Sequence, residues 1–159
     1  MFMSANPRRW AVAVLLSTWM APSMVWAGHG HHRAYTRPEV DIDRLKAKLR
    51  YDCGEWSLSV KYEVETEDAA PGRCDLILRL KQHGRYLVDE RGRPITFAIP
   101  LDRPHEVDEE EFEYQGRFRA VFGRGLFSSP GKLELDARVV DRHTGRTAAH
   151  KRTKVKYKR

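Results

Sequence analysis

Apolar and polar residues alternate along most of the chain after residue 40. The segment 56–64 shows this best: tryptophan, leucine, valine or tyrosine stands at each even position, and serine, lysine or glutamate at each odd one. A period of two places all the apolar side chains on one face of a strand and the polar ones on the other. The segment is therefore predicted to be a half-buried β-strand.

The same period recurs in other segments, separated by turn residues. Strands are predicted at 45–51, 74–80, 112–122, 133–139 and 147–157, with shorter ones at 86–88 and 95–99. Asp52-Cys53-Gly54, Asp89–Pro94 and His143-Thr144-Gly145 each supply turn chemistry, which predicts three hairpins. Gly116, inside the strand 112–122, predicts a bulge or the close approach of another backbone.

These elements predict an all-β fold, an antiparallel β-sandwich of about seven to eight strands. In strand count and turn spacing across residues 40–159, the chain resembles an immunoglobulin-like domain in architecture. The interval between Cys53 and Cys74 is much shorter than the immunoglobulin pattern, and no family motif accompanies the likeness. The first strand has an alternative, because Ile42, Leu45 and Leu49 would also share one face of a helix.

The first 27 residues have the pattern of a secretory signal peptide. Arg8 and Arg9 precede an apolar stretch from Trp10 to Met20, and Val25-Trp26-Ala27 places the β-branched Val25 and the small Ala27 before the predicted cleavage site. The stretch is shorter than the roughly 20 residues of a membrane-spanning helix. The sequence therefore predicts a cleaved leader at 1–27, a flexible histidine-rich and glycine-rich segment at 28–39, and one domain at 40–159. The mature protein is predicted to be periplasmic or secreted, with no stable membrane span.

Two cysteines are present, Cys53 and Cys74. In an oxidising compartment such a pair is predicted to form a disulfide. By loop entropy, closing a loop of this length would add about 3 kcal/mol to the free energy of unfolding. Reduced, buried thiols are the alternative.

Cleavage after Ala27 would expose Gly28 as a free amine, followed by three histidines within four residues, His29, His31 and His32. Nitrogen ligands of this kind suit Cu²⁺, Ni²⁺ and Zn²⁺. The segment is thus a candidate metal site. The alternative is a solvated tail with incidental affinity for metals.

The last predicted strand is strongly basic. The chain carries 29 Lys and Arg against 22 Asp and Glu, and the leader removes two arginines and no acid, so the mature net charge falls from +7 to +5. The candidate anion-binding residues are Lys151, Arg152, Lys154, Lys156, Lys158 and Arg159. Such a cluster attracts polyanions, although cations on an edge strand also prevent sheets from pairing with one another.

Catalytic motifs are lacking in the sequence. His105-Glu106 is followed by Glu109 where a zinc-protease helix needs its second histidine, and Ser128-Ser129 has no nucleophile elbow. Nucleic acid binding is not predicted, because Tyr157 is the only aromatic residue beside the basic cluster. The chain is therefore predicted to be a non-catalytic binding module of the cell envelope, with an envelope protein or an anionic polymer as its partner. The alternative is a periplasmic metal-binding protein that uses the histidine cluster.

Overall fold

The computed structural model describes residues 37–127 and 132–158, and this part of the chain is built from nine strands. The strands are β1 (Glu39–Asp52), β2 (Glu55–Glu67), β3 (Cys74–Gln82), β4 (Arg85–Tyr86), β5 (Thr96–Pro100), β6 (Glu106–Asp108), β7 (Glu111–Gly123), β8 (Leu133–Asp141) and β9 (Thr147–Lys158). Across residues 37–127 and 132–158, no helix combines the length and apolarity needed to cross a bilayer.

The strands follow the order β4-β3-β8-β9-β1-β2-β7-β6, and β5 pairs with β3 beside β4. Neighbours are antiparallel except for β1 and β9, which run parallel from Ala47 beside Val155 to Arg50 beside Lys158. The all-β sandwich is confirmed. The parallel pair was not predicted, because it joins segments more than 100 residues apart, for which no local turn signal exists.

The two halves of the sheet pack face to face around one core. Between ring centroids, Phe97 of β5 lies 4.8 Å from Phe118 and 6.0 Å from Phe122, both on β7. The fully buried leucines, Leu58, Leu76, Leu78 and Leu135 among them, come from both halves. The longer strands therefore bury the apolar face that their alternation predicted and leave the charged face outside.

A bulge explains why the first strand also had a helical pattern. The pairing of β1 with β2 shifts register between Asp41 and Arg44. Ile42 and Leu45 are consequently both buried, although they have opposite parity. The strand prediction is confirmed, and the alternative helix is wrong.

The predicted hairpin between segments 86–88 and 95–99 needs correction. The turn forms, with Val88 bridging Pro94 and the amide of Ile95 donating to the carbonyl of Leu87. However, β4 and β5 both use β3 as their strand partner. The exposed edge of β3 offers a longer ladder than the two short segments offer each other.

The predicted disulfide is wrong, since Cys53 and Cys74 are both free. Cys53 lies in the turn before β2, whereas Cys74 follows the loop that leaves the far end of that strand. A 13-residue strand spans about 40 Å, and a disulfide needs Cα atoms within about 7 Å. Cys74 instead starts β3 as a buried thiol whose pKa is raised by burial.

Candidate functional site

The outer face of β1 is basic. Lys46, Lys48 and Arg50 are exposed, and they alternate with the buried Leu45, Ala47 and Leu49. Because β1 is a central strand, its outward side chains have neighbours on both sides. The register of the sheet then decides which charges lie next to them.

The neighbouring strands add more cations to that face. On one side Lys48 lies beside Lys156, and on the other Lys46 lies beside Lys61. Lys61 in turn lies beside Arg117 of β7. The outward positions of β9, β1, β2 and β7 together form what we call the basic face: Lys46, Lys48, Arg50, Lys61, Arg117, Arg119, Lys154, Lys156 and Lys158.

These nine side chains are exposed and take part in none of the salt bridges found within residues 37–127 and 132–158. Neighbouring strands are about 4.8 Å apart, and alternate residues along a strand about 6.7 Å apart. The face thus holds a grid of like charges at contact spacing. Such a grid produces a positive potential that a bound polyanion would neutralise.

Acidic residues limit the basic face at both ends of the strands. Asp52 and Glu55 are paired at the β1–β2 turn, with the same parity as the cations. At the other end, Glu63 forms a 3.1 Å ion pair with Arg44. The positive charge is therefore a band across the four strands that is bounded by acidic residues at both ends of β1 and β2.

The structure divides the six predicted anion-binding residues into three groups. Lys154, Lys156 and Lys158 belong to the basic face. The Nζ of Lys151 donates to the backbone carbonyls of Ile42 and Asp43, at 2.9 Å for Asp43, and the Nε of Arg152 donates to Asp136 at 3.1 Å. Arg159 lies outside the described residues.

The edge-strand interpretation of these lysines stays a prediction. β9 lies between β8 and β1 in the sheet order, but the two pairings use different parts of it. Thr147–Lys154 pairs with β8 and Val155–Lys158 pairs with β1. Lys156 and Lys158 therefore lie on a segment of β9 paired on one side, where charge can prevent aberrant pairing.

A second polar cluster lies on the outer side of β8. The carboxylate of Asp136, only 1% exposed, accepts a 2.7 Å hydrogen bond from Tyr86 Oη and contacts His150, Arg152 and Arg138. Burial alone would raise the pKa of Asp136, but hydrogen bonds from His150, Tyr86 and Arg152 and the charge of Lys81 outweigh it and hold that pKa well below its usual range. The carboxylate is saturated with donors, which gives it a structural role in joining β4, β8 and β9.

An acidic surface lies around the β6–β7 turn and the end of β2, and it lines a shallow pocket. Its members are Glu67, Asp68, Asp108, Glu109, Glu110 and Glu111. Nearby, a hydrogen bond to Asp43, burial and the charges of Asp43, Glu111 and Glu113 raise the pKa of Glu65 to about 7. Two carboxyl groups that share a proton repel each other once both are ionised.

Glu65 is therefore expected to make stability depend on pH near neutrality. Its folded pKa is above the unfolded value of about 4.3, so its contribution is complete below that value and is lost as pH rises through 7. At pH 8 Glu65→Gln should be more stable than wild type, because it lacks the repulsion between two ionised carboxyl groups. The gain in the free energy of unfolding should be about 0.5–1 kcal/mol, because solvent screens the partly exposed pair. Urea unfolding at pH 5 and pH 8 measures this. Glu90→Gln, in an exposed turn, is the matched control, and equal pH dependence in wild type and Glu65→Gln would contradict the assignment.

The predicted metal ligands His29, His31 and His32 lie outside the described residues, as does the predicted signal peptide. Within residues 37–127 and 132–158, no three histidine, cysteine or acidic side chains form a group that could hold a metal ion. The histidine-cluster hypothesis stays a prediction. Titration of the processed protein with Cu²⁺ in a calorimeter would test it.

Most of the basic face was not identified from the sequence. In the sequence, Lys46, Lys48 and Arg50 alternate with apolar residues, which indicates only the polar side of one strand. Lys61, Arg117 and Arg119 share outward parity on their own strands. That shared parity was the available signal, and it becomes informative only when the strand order is known.

The fold and the site together define an all-β sandwich domain with a basic band on its outer face. The sequence matches no protein-family model and no curated protein. Among solved structures, it is similar to a β-glucuronidase from Parabacteroides merdae, with 10% identity and a TM-score of 0.47 over 76% of this chain and 14% of that one. It is also similar to a calcium-binding mutant of Bacteroides uniformis β-glucuronidase 2, with 11% identity and a TM-score of 0.43 over 74% of this chain and 12% of that one. The chain thus spans less than one sixth of either enzyme.

Proposed function

We propose that the protein is exported and acts in the cell envelope as a non-catalytic binding module that holds an anionic polymer on its basic face. The observation that carries this proposal is that nine exposed cations lie across four adjacent strands and take part in none of the salt bridges found within the described residues, although Glu134 of β8 lies beside Lys154. Assembling like charges opposes folding through self-repulsion. A polyanion would relieve that repulsion on binding and release its own counterions.

Affinity measured against salt tests the proposal. The triple variant Lys48→Gln, Lys61→Gln, Lys156→Gln should bind long-chain polyphosphate more weakly. The slope of log affinity against log salt should fall by about 2, since each lost phosphate contact removes roughly 0.7–0.9 from it.

The matched control is Arg85→Gln, Arg91→Gln, Arg103→Gln, which removes the same charge at exposed positions off the basic face. The control should keep the wild-type slope. If both triple variants lose affinity equally, only net charge matters, and the basic face is not a binding site. Retention on isolated envelope fractions, with the same variants, tests the cellular part of the proposal.

A further inference from the structure

The basic face has a depression at its centre. The outward residues of β2 there are Ser57 and Ser59. Ser59 lies between Lys48 and Arg119, and Ser57 lies between Arg50 and Val121. A serine side chain ends several ångströms closer to the sheet than lysine or arginine, so these two hydroxyl groups form a floor with cations on both sides of Ser59 and on one side of Ser57.

A hydrogen bond joins Arg119 of β7 to the serine floor. The Nε of Arg119 donates to the Oγ of Ser57 at 2.9 Å. This bond fixes the guanidinium plane and leaves its terminal N–H groups available. It also leaves the hydroxyl proton of Ser57 free to be donated to another acceptor. An arginine fork beside serine hydroxyls suits the oxygen atoms of a phosphate group.

The acidic residues at the sides of the band favour one chain over a flat surface. The band is about 14 Å long across the four strands and about 13 Å wide, with Asp52 and Glu55 at one side and Glu63 at the other. An anionic bilayer laid on this face would also touch those acids. In addition, the central rows contain one exposed apolar side chain, Val121, and no aromatic ring that could stack on a sugar.

From these features, and on the basis of the function proposed above, we infer that the ligand is a single extended chain of phosphate groups. It crosses β9, β1, β2 and β7 roughly at right angles to the strands and passes over Ser59. Lys156 and Lys48 hold it before the serine floor, and Arg119 holds it beyond. The binding is reversible and involves no covalent step.

A bulky residue in place of Ser59 tests whether the phosphate chain passes over this position, and it does not change the net charge. Ser59→Trp should weaken the binding of long-chain polyphosphate at least about tenfold, the loss expected when one or two charge-assisted contacts are removed. Thr147→Trp adds the same bulk at an exposed position off the band and should bind as wild type does. Thermal unfolding of both variants establishes that they are folded, and Ser59→Tyr provides a smaller filling residue if Ser59→Trp is not.

Vesicles of phosphatidylglycerol and phosphatidylcholine separate a chain from a membrane. Ser59→Trp should leave the affinity for vesicles unchanged or raise it, while it lowers the affinity for polyphosphate. Tighter wild-type binding to vesicles than to polyphosphate, at equal phosphate concentration, would overturn the inference in favour of a membrane surface.

Chain length provides a second measurement. Tripolyphosphate is shorter than the band and should bind more weakly than long chains, with affinity levelling off once the chain spans the four strands. If folded Ser59→Trp binds polyphosphate normally while the lysine-to-glutamine triple variant does not, the path over Ser59 is wrong and the basic face still binds. If the triple variant also binds normally, the proposed function itself fails.

Discussion

Replacing Asp136 by alanine is expected to lower the free energy of unfolding by about 3 kcal/mol. The carboxylate is almost fully buried, yet it is the common acceptor for Tyr86, Arg152 and His150, which come from two other strands. Removing it leaves the Tyr86 hydroxyl without its acceptor and the guanidinium of Arg138 without its ion-pair partner, whose oxygen lies 3.4 Å from Nε. Urea denaturation at pH 7 measures the loss.

Asp75→Ala is the matched control. Asp75 pairs with Arg142 at 2.5 Å, but both side chains are partly exposed, at 24% and 43%. An ion pair of that kind contributes less than about 1 kcal/mol. Equal losses in the two variants would contradict the central role of Asp136.

The pH dependence of Asp136→Ala follows from the direction of the pKa shift. The folded pKa of Asp136 lies below the unfolded value of about 3.9. Its contribution is therefore present above that value and is lost as pH falls towards the folded pKa. The difference in stability between wild type and Asp136→Ala should persist from pH 8 to pH 5 and narrow below about pH 4.

Gly116→Ala is expected to cost about 2 kcal/mol by overpacking. The ring of Tyr62 lies over Gly116, its direct partner on β2, and an added Cβ would come within 2.2 Å of Oη and 2.3 Å of Cζ. The ladder from Glu55 to Glu67 has no register shift here. Both predicted alternatives at Gly116 are therefore wrong: the strand has no bulge there, and the group that lies close is the Tyr62 side chain and not another backbone.

Making Gly116→Ala in a Tyr62→Leu variant tests whether the tyrosine ring causes this loss of stability. In Tyr62→Leu the ring is gone, so Gly116→Ala should become neutral or stabilising by about 0.5 kcal/mol, as alanine usually is relative to glycine in a strand. Gly125→Ala, with no atom within 4 Å of its added Cβ, is the control and should change stability little. A loss at Gly116 that stays the same without the Tyr62 ring would exclude the steric explanation.

The period of two was enough to identify β2, β3, β7 and β8, because each of these strands buries one face and exposes the other. It was ambiguous for β1, where the bulge between Asp41 and Arg44 puts Ile42 and Leu45 on the same side. It could not reveal that β4 and β5 both pair with β3. Partner choice depends on which strand edges remain open once the sheet has formed, and a local pattern does not contain that information.

The basic face, too, could be predicted only in part from the sequence. Lys154, Lys156 and Lys158 stood out because they are close together in the sequence, whereas Lys48, Lys61 and Arg119 belong to three different segments. Only the register of β9, β1, β2 and β7 places them in one band. The same register places Arg152 against the buried Asp136 and Lys151 against carbonyl groups of β1. These two residues, which the sequence also offered as anion-binding candidates, are therefore already hydrogen-bonded within the fold.

The amino-acid sequence alone therefore determined where most of the strands lie and which face of most strands is buried, since both follow from side-chain parity, whereas it did not predict β6. The tertiary structure alone decided the parallel contact of β1 with β9, the separation of the two cysteines and the assembly of the basic face. These features depend on contacts between distant segments, whose energies are set by the packing of the whole sheet.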